Sequence, residues 1–385
     1  MFSFVKAPMP LSTAGAGLAS DESSAAWMRA VHRAAADLRR GFPVLLSGPA
    51  PLVLLAAETA GERGLREFAE LAADAPVMLL APSRAAAILH RPVESATAAV
   101  ALRLTPALLA PASLQALADP TLEQARPENP VSVPAPEAAG AALALVKLSR
   151  LLPASLAAVP IPSAAAAAAR LGLLGVSAAD VASYPAAGVA GLTRVTEAHV
   201  PLDAAADTRI IAFRTDDSGV EHLAIVVGDP SALEAPLVRL HSECFTGDLL
   251  GSLRCDCGLQ LQGAIRRMAQ EHAGVLLYLA QEGRGIGLVN KLRAYALQDR
   301  GLDTLDANRA LGWDADERSF LVAATMLEAL GLHRVRLLTN NPDKLAALAA
   351  CGIDVAGRVP HAFAPNGVND RYLATKARRF GHLLD

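Results

Sequence analysis

Aromatic residues are scarce in this sequence of 385 residues: they make up 4% of it, whereas hydrophobic residues make up 52%. Its cores must therefore be built mainly from alanine, leucine and valine. Cysteine is scarce too, with four residues and no secretory signature, which argues against a disulfide-stapled secreted domain and predicts a cytoplasmic protein. The formal net charge of −3 gives no general attraction to polyanions, so we expect no nucleic-acid partner and only a local phosphate site.

Long apolar runs are also missing, so we expect no membrane partner. The longest uncharged candidate, residues 151–169, is interrupted by prolines and is rich in alanine rather than leucine. Lysine is nearly absent from the first 200 residues, which contain only Lys6 and Lys147. This shift in composition and the chain length predict two domains. The predicted boundaries are 1–22 for a disordered tail, 23–189 for the first domain and 190–385 for the second.

Three of the four cysteines, Cys244, Cys255 and Cys257, lie in one short stretch with the spacing C-x10-C-x-C. Three thiolates are one ligand short of a closed structural zinc site, which leaves an open tetrahedral position for water, as in catalytic zinc sites. Cysteines can instead simply fill a core, which is the simplest explanation for the isolated Cys351. Histidine, glutamate, aspartate and arginine crowd the stretch that holds the other three, so the spacing favours a zinc site there.

Further polar clusters follow predicted strands. QEGRGIG comes directly after GVLLYL and reads as strand, glycine-rich turn and helix, an arrangement typical of phosphate sites, with Arg284 in the turn. In DADER, the Asp316 carboxylate is suited to accept a proton and the Arg318 guanidinium to stabilise phosphate charge. Acids stabilising a helix N-terminus would also explain Asp316, but not Arg318. In VRLLTNNPDK, Thr339 and Lys344 are expected to face a phosphate at a helix start.

Six motifs follow one another between about Arg194 and the C-terminus: RLHSEC, GSLRCDCG, QEGRGIGLVNKLRAYALQD, DADER, RLLTNNPDK and TKARRFGHLL. This ordered set strongly resembles GTP cyclohydrolase II, the enzyme that opens the riboflavin pathway. The resemblance implies that GTP is hydrolysed to 2,5-diamino-6-(5-phosphoribosylamino)pyrimidin-4(3H)-one, formate and pyrophosphate. It also implies a homodimer with one zinc ion per subunit, and Mg²⁺ bound with the GTP phosphates.

The same resemblance assigns roles to residues of this sequence. It makes the three clustered cysteines the zinc ligands, Asp316 the proton acceptor and Arg318 the nucleophile at the α-phosphorus, and it lets Tyr295 help complete the deformylation. An electrostatic role for Arg318 remains the alternative, and as a bare residue Tyr295 could belong to the core. The implied contacts with GTP are Arg239, Leu240, His241, Ser242, Glu243, Gln260, Glu282, Gly283, Arg284, Thr304, Thr339 and Lys344.

The first half shows a different pattern. PVLLS, PLVLLAAE and PVMLLAP predict buried strands between helices, which indicates an α/β domain, and a helix is predicted from a Ser24 cap to Arg40. The layout resembles dihydroxybutanone-phosphate synthase, a domain often fused ahead of GTP cyclohydrolase II. SGPAPLVLLAAE replaces the acidic loop that this family uses for metal and sugar phosphate, and APEAAGAAL stands where its catalytic histidine would be. We therefore predict a catalytically inactive domain that serves dimerisation, stability or regulation.

The fold class we predict is α/β (α+β), with a mixed sheet and flanking helices in the second domain. Three other functions stay open. One is a bifunctional riboflavin enzyme with an active first domain, and another is a catalytically silent GTP-binding regulator, which would not need Tyr295, Asp316 and Arg318 together with the cysteines. The last is a structural zinc knuckle in a nucleic-acid binder, which requires a fourth ligand and a basic face.

Overall fold

The computed structural model describes residues 18–94, 97–122, 130–215 and 219–383. These residues form two seven-stranded sheets, one in each half of the chain, with helices packed against both. The predicted α/β class and the mixed sheet of the second half are confirmed. Among the described helices, none is both long and apolar enough to cross a membrane.

The sheet of the first half has the strand order β5-β4-β3-β6-β2-β1-β7, and only the β1–β7 pair is parallel. Its strands are β1 (Val44–Ser47), β2 (Leu52–Ala56), β3 (Val77–Leu80), β4 (Val100–Arg103), β5 (Ser132–Val133), β6 (Ala154–Ala158) and β7 (Gly175–Ser177). Its helices are α1 (Leu18–Arg39), α2 (Glu62–Leu71), α3 (Pro82–Leu89), α4 (Pro111–Ala118), α5 (Ala139–Leu148), α6 (Ala164–Leu171) and α7 (Ala178–Ala190).

Strand β2 shows why the first half needs helices on both faces of its sheet. Side chains alternate across a strand, so Leu52 and Leu54 enter one buried cluster while Val53 and Leu55 enter another. All of these side chains are almost fully buried. The continuous apolar run in PLVLLAAE therefore marks a strand covered on both sides, as the sequence predicted.

The first helix begins earlier than predicted. Helix α1 starts at Leu18 rather than at a Ser24 cap, so residues 18–22 of the predicted tail are helical. Alanine and leucine favour helix in this segment, and their preference outweighs the tendency of Ser24 to start the helix later as a cap. Residues 1–17 of the predicted tail lie outside the described residues.

The sheet of the second half has the order β14-β13-β11-β12-β10-β9-β8. Strands β14, β13, β11 and β12 are parallel, and β12, β10, β9 and β8 pair antiparallel. The strands are β8 (Leu192–His199), β9 (Thr208–Thr215), β10 (Glu221–Gly228), β11 (Leu237–Ser242), β12 (Ala273–Leu279), β13 (Arg334–Leu338) and β14 (Asp354–Val359). The helices are α8 (Cys257–Gln270), α9 (Leu288–Asp299), α10 (Thr304–Ala310), α11 (Leu321–Ala329), α12 (Pro342–Ala350) and α13 (Asp370–Phe380).

This topology brings three functional loops together. Because β11, β12 and β13 are parallel, their carboxyl ends meet at one edge of the sheet, where α/β proteins place ligand sites. RLHSEC includes the last four residues of β11 and the two that follow it. QEGRG begins just after β12, and TNNPDK begins just after β13. Motifs that are far apart in the sequence therefore reach the same place.

The two halves share a hydrophobic core. Helices α9 and α10 and the turn after them pack against β2, β3 and their helices, so side chains from both halves belong to one buried cluster. The second half contributes Ile286, Ala294, Leu297, Ala307, Leu311 and Trp313 to it. These residues are almost fully buried, so the first half covers an apolar face of the second.

Candidate active site

The three predicted metal ligands lie together. The sulfurs of Cys244, Cys255 and Cys257 are all within 4.8 Å of one another. The loop between them fits this approach only with glycine at position 247, because a Cβ there would lie 2.8 Å from the Cys255 sulfur and 3.0 Å from the Cys244 sulfur. In the described part of the chain, no other His, Cys, Asp or Glu joins this group, so the cluster offers three ligand atoms.

A cationic side chain stabilises the cluster. Lys291, on α9, donates from Nζ to the Cys244 sulfur at 2.9 Å and to the Glu282 carboxylate at 2.9 Å. Hydrogen bonds with Cys255 and Cys257, together with Lys291, hold the pKa of the Cys244 thiol well below its ordinary value. The same closeness raises the pKa of the Cys255 and Cys257 thiols, because three thiolates repel one another unless a cation lies among them.

Two aspartates support the cysteine cluster. Asp248 accepts hydrogen bonds from the Cys244 backbone N–H at 2.9 Å and from the Tyr278 hydroxyl at 3.0 Å, and His241 Nε2 lies 3.0 Å from it. Asp248 therefore fixes the backbone that carries the first cysteine, and His241 is its partner rather than a fourth ligand. Burial lowers the pKa of His241, which favours the neutral ring.

The second aspartate, Asp256, lies in the sequence between Cys255 and Cys257. Asp256 accepts from Lys376 Nζ at 2.7 Å and from the Gln260 amide, and Gln260 in turn accepts from Arg239. Lys376 is on α13, far along the chain from Asp256, and both side chains are buried. This network links the cysteine loop to the C-terminal helix.

The other side of the pocket is lined by buried cations. Arg239, Arg284 and Lys344 are buried or half-buried beside Arg318. Arg239 Nε and Arg284 Nη1 are buried and have no hydrogen-bond partner within the described structure. Burial, together with Arg318 and Arg239, lowers the pKa of Lys344 well below its ordinary value. Buried donors without partners are costly, and an anionic ligand would satisfy them.

The glycine-rich turn after β12 brings one cation to the pocket in an unusual conformation. Gly283 and Arg284 both have a φ of 64°, the left-handed region that a side-chain-bearing residue adopts rarely. The Arg284 guanidinium lies 3.8 Å from the centre of the Phe380 ring on α13. The Glu317 N–H donates to the Arg284 carbonyl at 3.0 Å. The glycine-rich turn therefore contacts the DADER loop directly.

The DADER loop presents Arg318 to the pocket. Arg318 donates from Nε to Asp316 at 2.8 Å and from a second nitrogen to the other carboxylate oxygen. Burial opposes ionisation of Asp316, but the paired guanidinium lowers its pKa overall. Helix α11 begins only at Leu321 with no acid in its first turn, so stabilisation of a helix N-terminus does not explain Asp316. Unlike Arg318, Asp316 does not itself line the pocket.

Tyr295 lies on α9 beside the cysteines. Its hydroxyl is 3.5 Å from the Thr246 hydroxyl, and Lys291 Nζ lies 5.7 Å from its ring centre. Burial raises the pKa of Tyr295, which keeps the phenol protonated and able to donate. The pocket thus has a cysteine side with Tyr295 and a cationic side with Arg318.

All the residues predicted for metal and GTP contact line this one pocket. The set comprises Arg239, Leu240, His241, Ser242, Glu243, Cys244, Cys255, Cys257, Gln260, Glu282, Gly283, Arg284, Thr304, Thr339 and Lys344. The predicted catalytic residues Tyr295 and Arg318 line the pocket as well. Sequence reasoning did not single out several others that line it: Lys291, Gln298, Asn308, Asn340, Asn341, Tyr372, Lys376 and His382. Several of these lie within the motifs NKLRAYALQD, TNNPDK and TKARRFGHLL. Membership of a motif was the signal in the sequence that could have identified them.

Comparison with known proteins agrees with this geometry. Residues 193–360 match the GTP cyclohydrolase II family. The GTP cyclohydrolase-2 of Azospirillum brasilense is 49% identical over 393 residues, covering 99% of this chain and 100% of that protein. The chain belongs to the GTP cyclohydrolase II family. The predicted enzyme class and its place in riboflavin biosynthesis are thereby confirmed.

Other GTP cyclohydrolase II relatives match half of the chain. The protein of Escherichia coli O9:H4 is 51% identical over 194 residues, which cover 50% of this chain and 98% of that protein. Among solved structures, a two-domain 3,4-dihydroxy-2-butanone 4-phosphate synthase from A. baumannii is similar to 86% of this chain, with 18% identity and a TM-score of 0.33. A TM-score this low does not assign the first half to that fold.

Proposed function

We propose that this chain hydrolyses GTP to 2,5-diamino-6-(5-phosphoribosylamino)pyrimidin-4(3H)-one, formate and pyrophosphate, the first step of riboflavin biosynthesis. The observation that carries the proposal is a single pocket with two chemically distinct sides. One side has three sulfurs at metal-binding distance, and the other has two guanidinium groups that each contain a buried nitrogen without a hydrogen-bond partner among the described residues. A nucleotide with an electrophilic base and an anionic triphosphate complements both.

The cysteine side fits one zinc ion per subunit. Tetrahedral zinc with Zn–S bonds of about 2.3 Å separates its sulfurs by about 3.8 Å, and the Cys244 and Cys255 sulfurs lie 3.8 Å apart. Cys244, Cys255 and Cys257 would hold the ion, and Lys291 and Asp248 would orient the first of them. When bound, zinc supplies Lewis-acid activation of water near neutral pH.

The cationic side fits the triphosphate. Arg239 and Arg284 each have a buried nitrogen free to donate, and Thr339 precedes the N-terminus of α12, where backbone N–H groups favour anions. Lys344 also lines this side, and a bound phosphate would favour its charged form over the neutral form that burial favours. We assign Mg²⁺ to the phosphates and water, since Mg²⁺ is commonly held by substrate phosphates with few protein ligands.

Arg318 and Asp316 act together in this proposal. The bidentate contact with Asp316 fixes the plane of the guanidinium, so that Arg318 stabilises negative charge as pyrophosphate departs. Despite burial, the paired guanidinium lowers the pKa of Asp316 and keeps it ionised, so that it holds Arg318 in place. Its role as proton acceptor rests on the family resemblance. Tyr295, with its raised pKa, donates near the reacting base and serves the release of formate.

We also propose a cytoplasmic homodimer. The family resemblance supports the dimer, and so do three leucines in the cysteine loop, because Leu249, Leu250 and Leu253 are 70%, 65% and 61% exposed. A cluster of exposed leucines is typical of an interaction surface. All four cysteines are free, which suits a reducing compartment. Sedimentation of the purified protein would reveal a monomer if the dimer proposal is wrong.

The first half, in this proposal, makes no dihydroxybutanone phosphate. Glu58 is the one acidic residue in SGPAPLVLLAAE, and its carboxylate accepts from Arg293 at 2.9 Å and from the Leu152 N–H at 2.7 Å. The oxygens of Glu58 are therefore committed to protein contacts rather than to Mg²⁺. Product from ribulose 5-phosphate would contradict this and support the bifunctional alternative.

The experiment is one incubation of purified protein with GTP and Mg²⁺, following formate, pyrophosphate and the pyrimidine, with zinc measured on the same sample. Both small products and about one zinc per chain are expected. Cys255→Ser should lose zinc and formate release, whereas the control Cys351→Ser should keep both, because Cys351 lies outside the pocket. Zinc and GTP binding without products would favour the regulator, and full zinc in Cys255→Ser would refute the ligand assignment.

A further inference from the structure

The last turn of α5 and Arg150, two positions after that helix, lie against the catalytic half. Lys147, in that turn, donates from Nζ to Glu317 at 2.7 Å and to Asp314 at 2.9 Å. Glu317 also accepts from the Asp314 N–H at 2.9 Å, so the lysine closes the DADER loop on itself. The Lys147 and Glu317 side chains are 25% and 20% exposed, which screens this pair less than a surface pair. Lys147 therefore fixes the residue that stands between Asp316 and Arg318.

The residue that follows α5 by two positions contacts the glycine-rich turn. Arg150 donates from Nη2 to the Ala280 carbonyl at 3.2 Å, and its own carbonyl accepts from Asn290 at 3.1 Å. Arg150 has a φ of 56°, an unusual conformation for a residue with a side chain. A short segment of the first half thus reaches both loops that supply cations to the pocket.

The two loops also bind each other at the same point. The Glu317 N–H donates to the Arg284 carbonyl at 3.0 Å, and a Cβ on Gly285 would lie 2.9 Å from the Glu317 carbonyl oxygen. Glu317 is therefore held by Lys147 through its side chain and by the glycine-rich turn through its backbone. A shift of Glu317 would move Arg318 relative to Arg284.

We propose that Lys147 is a positioning residue for GTP hydrolysis: through Glu317 it holds the DADER loop so that Arg318 faces the phosphates. This proposal rests on the role given above to Arg318. Lys147 does not line the pocket, so it acts without touching the substrate. The first half thereby contributes to catalysis in the second half through an ion pair between them.

The test compares Lys147→Met, Lys147→Arg, Glu317→Gln and the double variant Lys147→Met/Glu317→Gln with the unaltered protein. Arg170→Met is the matched control, because Arg170 pairs with Glu70 on the surface of the first half. Formate and pyrophosphate release give kcat and KM for GTP. Hydrogen exchange of residues 312–320 and zinc content are measured on the same preparations.

Lys147→Met should lower kcat about tenfold, because a small misplacement of a catalytic group is costly, while KM changes less and zinc is unaffected. Exchange in residues 312–320 should quicken. Lys147→Arg should restore most of kcat, and Lys147→Met should add little in the Glu317→Gln background. The Arg170→Met control should behave like the unaltered protein.

Three results would overturn the proposal. The first is an unchanged kcat in Lys147→Met, and the second is a loss of kcat from Lys147→Met that is as large in the Glu317→Gln background as in the unaltered protein. The third is a kcat of Lys147→Arg as low as that of Lys147→Met. Failure of the proposed function would look different, since the unaltered protein would then release no formate. In that case hydrogen exchange still tests whether Lys147 holds the loop. An unchanged exchange rate in residues 312–320 of Lys147→Met would show that it does not.

Discussion

Arg293 joins the two halves of the chain and is the most informative place to perturb their interface. It lies on α9, between Lys291 and Tyr295, and donates from Nη2 to Glu58 at 2.9 Å and from Nε to Asp119 at 2.7 Å. Both acids belong to the first half. Replacing Arg293 with methionine keeps much of the apolar volume of the side chain and removes the charge.

The expected cost follows from burial. The Glu58 and Asp119 side chains are 16% and 7% exposed, and that of Arg293 is 19% exposed. The variant therefore leaves two nearly buried carboxylates without their Arg293 partner, and Asp119 keeps the nearby charge of Arg84. Breaking such a pair typically costs about 3–5 kcal/mol. We expect the lower end, about 3 kcal/mol, because Asp119 also accepts from the Thr121 N–H and hydroxyl.

The assay is urea unfolding followed by circular dichroism and tryptophan fluorescence. Trp313 is buried in the core shared by both halves and Trp27 packs within the first half, so fluorescence reports on the interface. Arg293→Met should lower the midpoint and separate the two signals into distinct transitions, because loss of this contact uncouples the halves. The exposed control Arg170→Met should stay within about 0.5 kcal/mol of the unaltered protein. A coincident transition and a cost below about 1 kcal/mol in Arg293→Met would refute the reasoning.

Two further variants test the support of the cysteine cluster and the pH dependence of stability. Lys376→Met leaves Asp256 buried without its cation, so zinc affinity should fall about tenfold in competition with a chelator; unchanged affinity would show that this pair does not support the cysteines. His222 accepts from the Ala280 N–H at 3.0 Å, and burial lowers the pKa of His222 to about 4. The unfolded chain therefore binds the extra proton, and stability is lost as pH falls from about 6.5 towards 4. His222→Gln should flatten unfolding free energy against pH in this window, and an unchanged slope would contradict the assignment.

Local patterns explain why most of the pocket could be predicted. HSEC, QEGRG and TNNPDK each follow an apolar run that reads as a strand, and parallel strands deliver their ends to one edge. Chemistry that sits at the ends of regular elements is therefore visible in the sequence before any contact is known.

Contacts between distant segments could not be predicted in this way. Lys376 meets Asp256 from a different helix, and Phe380 covers Arg284, but no periodicity in TKARRFGHLL reveals either partner. The start of α1 was missed for a related reason, because a capping residue is a weak local signal that neighbouring helix formers override. Pairing between distant segments and competition between weak local preferences therefore limit what the sequence predicts.

The shared core predicts that the second half depends on the first for its stability in this chain. Ala294, Leu297, Ala307 and Leu311 form an apolar face on α9 and α10 that the first half buries, and exposing such a face favours aggregation. The Escherichia coli O9:H4 relative, aligned over 98% of its length to half of this chain, leaves no length for such a covering domain. Here Glu58 binds Arg293 on the very helix that carries Lys291 and Tyr295. Glu58 thus links the first half to a helix that lines the pocket.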